Sequence, residues 1–366
     1  MVRFALLIGS IFVAISCCGS AKPSAQEPVE TIVEQDSTCE ISIMLGGDVM
    51  FHQPQITAAL GSEGKYDFTK TFQYIKTQWS DCDAVIFNLE TTLAEGNYSG
   101  YPQFAAPKEV AYNLKECGVT HIMQANNHIC DKYSKGIITT AKHLKEAGLE
   151  SAGCYIDSVA WRQNSPLWIE KEGFKIALLN YTYGTNGIPV PKGIIVPHID
   201  TTAIRRDIER AQAGDATNII TFMHWGYEYH TSPSAEQTKL AQWLHTNGVD
   251  IVVGSHPHVI QPSHADSTHI TIYSMGNLVS NQRKRHTNGG MLVRLDIERD
   301  TILNKCRYTL EHLPHFVYKA PLGDSPRYYC TPENLIDSVI VDDISQRGEA
   351  RQFFNDTRSI LSKGDF

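Results

Sequence analysis

Residues 41–52 read ISIMLGGDVMFH: a short run of β-branched and apolar residues, then two glycines, then the carboxylate of Asp48. Such a run, bounded by glycine and polar residues, predicts a buried β-strand that ends where the polar residues begin. Five further stretches repeat the arrangement, with a polar motif directly after an apolar run. The six motifs are Gly46-Gly47-Asp48, Asn88-Leu89-Glu90, Asn126-Asn127-His128, His224-Trp225-Gly226, His256-Pro257-His258 and Gly276-Asn277.

These six motifs predict one shared site. In open α/β sheets, ligands bind outside the carboxyl ends of the strands. Carboxylate, amide and imidazole groups at six strand ends are therefore expected to converge on one crevice. They are the ligand types of a borderline divalent metal ion.

Helical patterns alternate with these strands. Several apolar periodic segments stop at a glycine, which is the expected helix terminator. Phe68, Phe72, Ile75 and Trp79 likewise fall on one helical face, with Asp67 as its candidate cap. The alternation of strand and helix predicts a layered α/β domain, with central β-sheets flanked by helices.

The first residues predict a processing signal. Arg3 precedes an apolar run, 4–15, that is too short to span a bilayer. Small residues then lead to Cys17, which resembles the lipidated cysteine of a bacterial lipoprotein. Cys18 and an ordinary secretory signal are the alternatives. We expect a membrane-anchored lipoprotein of the cell envelope, outside the cytoplasm.

The remaining chain divides by composition. A signal peptide at 1–16 is followed by a flexible tether at 17–38, which is rich in small and polar residues. The main domain is predicted at 39–300. After Gly290 the sequence pattern changes, and 301–366 is predicted to be a small C-terminal β/α appendage.

Composition excludes some classes of protein. The 366 residues are 42% hydrophobic, enough for one large core. The net charge of −8 gives no indication of general nucleic-acid binding. The nine cysteines form no C-x-x-C pair, which argues against a thiolate metal site.

Each motif also has a plain structural reading. Asp48 is a candidate ligand or part of a glycine turn, and Glu90 is a candidate bridge between two ions or a cap. The two asparagines before His128 indicate either an oxygen ligand or an Asn turn. His128 is a candidate ligand or general acid, which Asp131 would orient.

The later motifs are read in the same way. His224 with Glu228 indicates a site or a partly buried aromatic cluster. His256 and His258 reach neighbouring metals if Pro257 holds them on an irregular loop; otherwise they are surface histidines. The basic run containing Arg283 and Arg285, after Asn277, indicates an anionic substrate or a solvated loop.

In these residues the chain resembles the CapA family of capsule and poly-gamma-glutamate biosynthesis proteins, which have a metallophosphatase-like fold. The resemblance covers about residues 41–320. The residues on which the resemblance rests are 47–52, 88–91, 125–128, 224–226 with Glu228 and Tyr229, 254–259 and 273–277.

The resemblance implies a site with two divalent ions of manganese, iron or zinc. Asp48 and His258 would favour one ion, Asn127, His224 and His256 the other, and Glu90 would bridge them. His128 resembles the acid that assists the leaving group. Candidate substrate contacts are Asn126, Glu228, Asn277, Arg283 and Arg285.

The chain departs from the metallophosphatase pattern at two places. Met50 stands where a histidine is usual, which leaves the role of His52 open, and the bridge is Glu rather than Asp. The expected function is metal-assisted hydrolysis or transfer on an anionic envelope polymer or its precursor. A non-catalytic accessory subunit that binds a polyanion or a synthase, and a metallophosphoesterase, are the alternatives.

Overall fold

Two β-sheets face each other in the computed structural model, which describes residues 38–321 and 327–365. The predicted signal peptide, Cys17 and the tether up to residue 37 lie outside the described residues. In chain order the strands are β1 (Thr38–Val49), β2 (Ala84–Leu89), β3 (Thr92–Ala94), β4 (Ala105–Pro107), β5 (His121–Met123), β6 (Glu150–Ala152), β7 (Leu167–Lys171), β8 (Phe174–Thr182), β9 (Asn218–His224), β10 (Ile251–Ser255), β11 (Ser263–Ala265), β12 (Ile270–Ile272), β13 (Asn277–Val279), β14 (Gly289–Asp300), β15 (Lys305–Lys319) and β16 (Tyr328–Pro332).

Helices lie between these strands in the chain. They are α1 (Gln53–Ala59), α2 (Glu109–Glu116), α3 (Tyr133–Glu146), α4 (Ser158–Asn164), α5 (Thr201–Ala213), α6 (Ala235–Thr246), α7 (Ile336–Val339) and α8 (Ile344–Leu361). None of the helices in the described part of the chain has the length and apolar content that a membrane crossing requires.

Both sheets combine parallel and antiparallel strands: the smaller sheet is antiparallel at both edges, and the larger sheet at one edge only. The larger sheet has the order β16-β15-β14-β1-β2-β5-β6, and β13 pairs with β1. Its strands β1, β2, β5 and β6 are parallel. The smaller sheet has the order β11-β12-β10-β9-β8-β7, with β12, β10, β9 and β8 parallel. Parallel strands bring their carboxyl ends to one edge, which positions the polar motifs.

The apolar side chains form three layers of core. Ile43 of β1 and Ile220 of β9 belong to the core between the sheets. Leu114 of α2 and Leu144 of α3 belong to the core on the outer face of the larger sheet. α5 and α6 cover the smaller sheet in the same way. The predicted layered α/β class, with central sheets flanked by helices, is confirmed.

Two predictions differ from the observed fold: the single helix over residues 68–79 and the separate C-terminal appendage. The four apolar residues from Phe68 to Trp79 are buried as expected, but the segment forms two short 3₁₀ turns, Thr69–Phe72 and Lys76–Trp79, rather than one helix.

The predicted appendage at 301–366 continues the larger sheet, because β15 pairs with β14 along its length. α8 then packs on β15 through the rings of Phe353 and Phe316. The described residues after 300 therefore share the core of the main domain.

Asn180 of β8 connects the two sheets below the polar crevice. Its buried Oδ1 accepts the backbone N–H groups of Gln124 and Ala125, at 3.0 and 2.7 Å, in the connection after β5. Its Nδ2 donates to the carbonyl of Phe222 in β9, at 3.1 Å. One side chain therefore sets the position of the Asn126-Asn127-His128 segment relative to the smaller sheet.

Replacing Asn180 with Ala is expected to lower the free energy of unfolding by about 2 kcal/mol, because the buried N–H group of Ala125 loses its acceptor, whereas that of Gln124 keeps the carbonyl of Ala152. Thermal or chemical denaturation measures the loss. Asn164→Ala is the matched control, since that exposed side chain donates only within α4, to Ala160. Equal effects of the two changes would contradict the connecting role of Asn180.

Candidate metal centre

Strand ends from both sheets meet at one point. β1 delivers Asp48, Glu90 follows β2, and β9 ends at His224, while His256 and His258 follow β10. All five side chains are buried. They form two overlapping groups, in each of which one donor atom per residue lies within 4.8 Å of the others. The groups are Asp48–Glu90–His258 and Glu90–His224–His256.

Glu90 belongs to both groups, and its carboxylate has no hydrogen bond. It is fully buried, and neither oxygen has a partner among the described residues. Oε1 lies 3.6 Å from Nε2 of His224 and 3.7 Å from Nε2 of His258, beyond hydrogen-bond distance. Burial, and then the neighbouring charge of Asp48, raise the pKa of Glu90 well above its usual value. Such a carboxylate is costly to bury unless a proton or a cation neutralises it.

Asp48 is fixed by contacts with both sheets. Its Oδ1 accepts from Nδ2 of Asn88 at 2.7 Å, and its Oδ2 lies 3.1 Å from Nδ1 of His258. The preceding Gly47 is required sterically, because the carbonyl of Gly276 fills the space where a Cβ would stand. That carbonyl accepts the N–H of Asp48 at 3.0 Å. Gly47 therefore allows the chain at Gly276, which leads into β13, to approach β1.

The loop after β10 is irregular, as the His-Pro-His motif predicts. His256 and His258 both have positive φ angles, +97° and +57°, which are rare for residues with a side chain. The backbone N–H of His256 donates to Oδ2 of Asp48 at 3.3 Å. The carbonyl of Pro257 accepts from the N–H of Tyr229 at 2.8 Å. These contacts turn both imidazoles toward the carboxylates.

Asn127 joins the group that contains His224. Its Oδ1 lies 2.8 Å from Nε2 of His224, and its Nδ2 donates to Asn186 at 3.2 Å. Nδ1 of His224 lies 2.9 Å from the hydroxyl of Ser255, which fixes the ring. The amide oxygen of Asn127 therefore faces the site as a neutral ligand.

Burial sets the protonation of these histidines. It lowers the pKa of His224 well below its usual value, and it lowers the pKa of His256 to about 3. Both imidazoles are therefore neutral at pH 7, which is the form that binds a metal ion. Nδ1 of His256 is buried and has no hydrogen-bond partner among the described residues.

His128 and Asp131 form a buried pair beside the two groups. Nδ1 of His128 lies 2.7 Å from Oδ2 of Asp131, and the same oxygen accepts the N–H of Phe104 at 2.6 Å. The ring of Phe104 packs edge-on against His128, with centroids 4.7 Å apart. The arrangement fixes the ring and leaves its Nε2 for proton transfer.

Aromatic side chains lie over the entrance. Tyr183, which follows β8, packs on His256 with centroids 4.6 Å apart, and Tyr229 packs on His258 at 6.3 Å. The exposed carboxylate of Glu228 forms a third group with the same two histidines. Sequence reasoning missed Tyr183, Asn88 and Phe104. Tyr183 could have been predicted in the same way as the six motifs, because it also follows an apolar strand.

The structure gives four predicted substrate contacts other roles. Asn126 is buried, donating to the carbonyl of Leu89 at 2.8 Å, and Asn277 donates to that of Thr287 at 2.8 Å. Arg285 forms a two-bond ion pair with Asp356 of α8, at 2.9 and 2.8 Å. Arg283 donates to the carbonyl of Val317 at 2.6 Å and lies over the ring of Tyr328. These contacts hold loops, β15 and α8, although Oδ1 of Asn277 and Nε and Nη2 of Arg283 have no hydrogen-bond partner among the described residues. Of the five predicted contacts, Glu228 is the one that falls in a donor group with the metal-ligand candidates.

His52 does not take the place left by Met50. Its Nδ1 accepts the N–H of Asn281 at 3.4 Å, its ring packs edge-on against Phe104, and it belongs to none of the three donor groups found in the described residues. Burial lowers the pKa of His52 to about 4. Met50 itself is buried.

The donor set fits a divalent metal ion. A buried carboxylate without hydrogen bonds, neutral imidazoles and an amide oxygen surround one point. Ligands about 2.1 Å from a tetrahedral ion lie roughly 3.4 Å apart, close to the spacing of Glu90 from its histidines.

Replacing Glu90 with Gln tests the buried charge without relying on activity. Because the pKa of Glu90 is raised on folding, its ionisation destabilises the metal-free protein as the pH rises above about 4.5, by roughly 1.4 kcal/mol per pH unit at most. The melting temperature of metal-free Glu90→Gln should therefore exceed that of the wild type by a margin that grows from pH 5 to pH 8. The variant should also lose the stabilisation that Mn²⁺ or Zn²⁺ gives the wild type. A margin independent of pH would contradict the assignment.

Comparison with solved structures finds a similar fold in a phosphatase from Mycoplasma pneumoniae. The two chains are 17% identical, with a TM-score of 0.46, and the alignment covers 76% of this chain and 94% of that chain. An identity this low concerns the fold alone.

Comparison with known sequences identifies the family. The capsule biosynthesis protein CapA of Bacillus anthracis is 28% identical over 271 residues, which are 70% of this chain and 63% of that protein. The PGA biosynthesis protein CapA of Bacillus subtilis (strain 168) is 27% identical over 278 residues, or 71% and 68% of the two chains. The matched region thus spans about two thirds of the length of these relatives. The family model of the bacterial capsule synthesis protein PGA_cap matches residues 42–282. The predicted resemblance is confirmed, and the chain belongs to the bacterial capsule synthesis protein family PGA_cap.

Proposed function

We propose that this protein is an envelope-tethered, metal-dependent hydrolase or transferase that acts on an anionic polymer, or its precursor, in capsule or poly-gamma-glutamate biosynthesis. The observation that carries the proposal is Glu90, whose buried carboxylate lies between two donor groups and has no hydrogen-bond partner among the described residues. A site that only stabilised the fold would pair this charge.

The chain's own residues support a two-ion assignment. Asp48 and His258 lie on one side of Glu90, and His224, His256 and Asn127 on the other. Manganese, iron and zinc all accept these nitrogen and oxygen donors. Bound divalent ions there would supply Lewis-acid chemistry and lower the pKa of water.

His128 is assigned proton transfer to the leaving group. The contact of its Nδ1 with Asp131 fixes the ring, so that Nε2 can deliver a proton. Phe104 packs on His128 and Tyr183 packs on His256, so both rings border the site. A phosphate ester would use the same groups, and the substrate screen below separates it from a polymer.

A non-catalytic accessory role is the second candidate. The observation that favours it is Met50, an apolar residue where metallophosphatases place a histidine. His52 does not compensate, since its ring faces Phe104 and Asn281. An accessory protein would bind metal and polyanion without turnover.

Replacing His128 with Ala is expected to lower turnover by about 10²–10⁴-fold and to leave the metal content unchanged, because His128 transfers a proton and is not a ligand. Turnover is measured on poly-gamma-glutamate, capsule polysaccharide and phosphate esters, and metal content by elemental analysis. His264→Ala, at the surface, is the control. Full activity of the His128 variant would remove this residue from the mechanism. A wild type that binds metal but turns over none of these substrates would favour the accessory role.

The location is proposed from residues outside the described part of the chain. Lipidation at Cys17 would hold the protein at the membrane outside the cytoplasm, with each buried methylene of the acyl chains adding about 0.8 kcal/mol. The envelope biosynthesis machinery and the polymer would be its partners, and nucleic acid would not.

Replacing both Cys17 and Cys18 with Ser should release the protein into the soluble fraction, as cell fractionation and gel mobility will report. The single variants decide which cysteine carries the lipid. Cys39→Ser, in β1, is the control and should stay with the membrane. Retention of the double variant at the membrane with wild-type mobility would show that lipidation is not the anchor.

A further inference from the structure

The long hairpin formed by β14 and β15 ends in an exposed apolar turn. The tip of this turn carries Ile302 and Leu303, whose side chains are 77% and 64% exposed. Among the described residues, they are the one pair of large exposed apolar side chains that are consecutive in the chain. Turns usually take glycine, proline, asparagine or aspartate at such positions. Turn formation therefore does not explain why these two residues are apolar.

Hydrogen bonds hold the turn in shape without help from its apolar side chains. Oδ1 of Asp300 accepts the N–H groups of Ile302 and Leu303, at 2.9 and 2.8 Å. Nη2 of Arg299 donates to Oδ1 of Asn304 at 2.8 Å, which joins the two ends of the turn. Asn304 has a φ angle of +52°, a value that asparagine tolerates. The two apolar side chains are therefore presented to solvent on a preformed support.

The turn lies at the end of the larger sheet that is opposite the metal centre. Thr38 pairs with Asp300, so the first described residue of β1 lies beside the turn. Asp48 of the metal centre comes ten residues later in β1. Because a strand rises about 3.3 Å per residue, the metal centre lies roughly 30 Å from the turn.

The chain that leads to the proposed lipid anchor enters the sheet at this same end. Cys17 precedes Thr38 by 21 residues, and a chain of that length spans at most about 75 Å. Such a length allows either end of the sheet to face the membrane, so the tether alone does not set the orientation. The surface of the folded part has to set it, and the apolar turn lies beside the point where the tether joins.

The charges near this end favour an apolar contact over an electrostatic one. Lys171 pairs with Asp83 at 2.7 Å, and Arg294 pairs with Asp81 at 3.0 Å. The exposed Lys305 follows the turn, and a side chain of this length can keep its ammonium among lipid headgroups. Contact with a membrane would therefore depend mainly on the apolar tip.

We infer that the turn 301–304 docks on a lipid bilayer, with Ile302 and Leu303 at the boundary between headgroups and acyl chains. Both side chains gain free energy by leaving water there, and neither needs a polar partner. The inference rests on the proposed envelope anchor, and it adds an orientation: the metal centre faces away from the membrane, roughly 30 Å from it. Its substrate is then a polymer outside the bilayer, rather than a lipid-linked precursor held within it.

Quenching by brominated lipids measures this orientation without relying on activity. The full lipidated chain is reconstituted in phosphatidylcholine vesicles whose acyl chains carry bromine, which quenches tryptophan rings that enter the bilayer. The tryptophan added by Ile302→Trp, measured as the difference from the wild type, should lose most of its emission. Phosphatidylglycerol in the vesicles should change this result little, because the contact is apolar.

Tyr101→Trp is the matched control at the other end of the molecule. Tyr101 is also 77% exposed, and it lies near Tyr229, which packs on His258 of the metal centre. Its tryptophan should keep its emission. Equal quenching at the two positions, or quenching of Tyr101→Trp alone, would overturn the inference. A tryptophan at position 302 that is shielded from a water-soluble quencher but not quenched by bromine would show that a protein covers the tip instead.

A second variant removes the apolar tip. Ile302→Ser with Leu303→Ser should leave the fold intact by circular dichroism, because both side chains are exposed. Tyr101→Trp in this background should become partly quenched, since the folded part then loses its fixed orientation. Quenching that stays absent would mean that another surface sets the orientation.

Docking and lipid anchoring fail in different ways. If substitution of Cys17 and Cys18 releases the protein while Ile302→Trp stays unquenched in the lipidated chain, the anchor is correct and the docking is wrong. If the cysteine variant stays at the membrane and Ile302→Trp is quenched, the turn docks and the anchor is assigned wrongly. A wild type absent from the membrane fraction would contradict both.

Discussion

The burial of Glu90 is the constraint on which the rest of the structure depends. A carboxylate without hydrogen bonds, at the junction of two sheets, is tolerated only if its charge is neutralised. Burial and the neighbouring charge of Asp48 raise the pKa of Glu90 well above its usual value, which favours the protonated form in the metal-free protein. The surrounding donors suit a cation shared with Glu90, because burial keeps the imidazoles neutral and the amide oxygen of Asn127 faces the site.

Two sheets have to meet at their carboxyl ends for this arrangement to exist. Asn180 holds the connection after β5 against the smaller sheet, and Asp48 accepts hydrogen bonds from Asn88 on one side and His256 on the other. The positive φ angles of His256 and His258 are part of the same requirement. The contacts of the loop with Asp48 and Tyr229 maintain these strained backbone conformations.

The charges of the molecule are arranged by location. Acidic residues exceed basic ones over the whole chain, yet Arg285 and Arg283 are bound to α8 and β15, while Lys132 and Lys135 remain unpaired among the described residues. A basic run in the sequence thus became a structural tie to β15 and α8. The difference lies in which acids the fold brings near, and this cannot be read from the order of residues.

The sequence by itself determined the layered α/β class and the position of the buried strands that precede the polar motifs, because the alternation of apolar runs and polar motifs follows from local burial. β1 nevertheless continues through Asp48 to Val49, and Asn277 begins β13. The sequence also indicated Asp48, Glu90, Asn127 and the three histidines as a group, since parallel strands end at a common edge. Tertiary structure alone decided that Asn126 and Asn277 hold loops, that 301–319 extends the larger sheet, and that 68–79 folds as 3₁₀ turns. These outcomes depend on hydrogen bonds and packing between residues far apart in the chain. Local propensity carries no information about such partners.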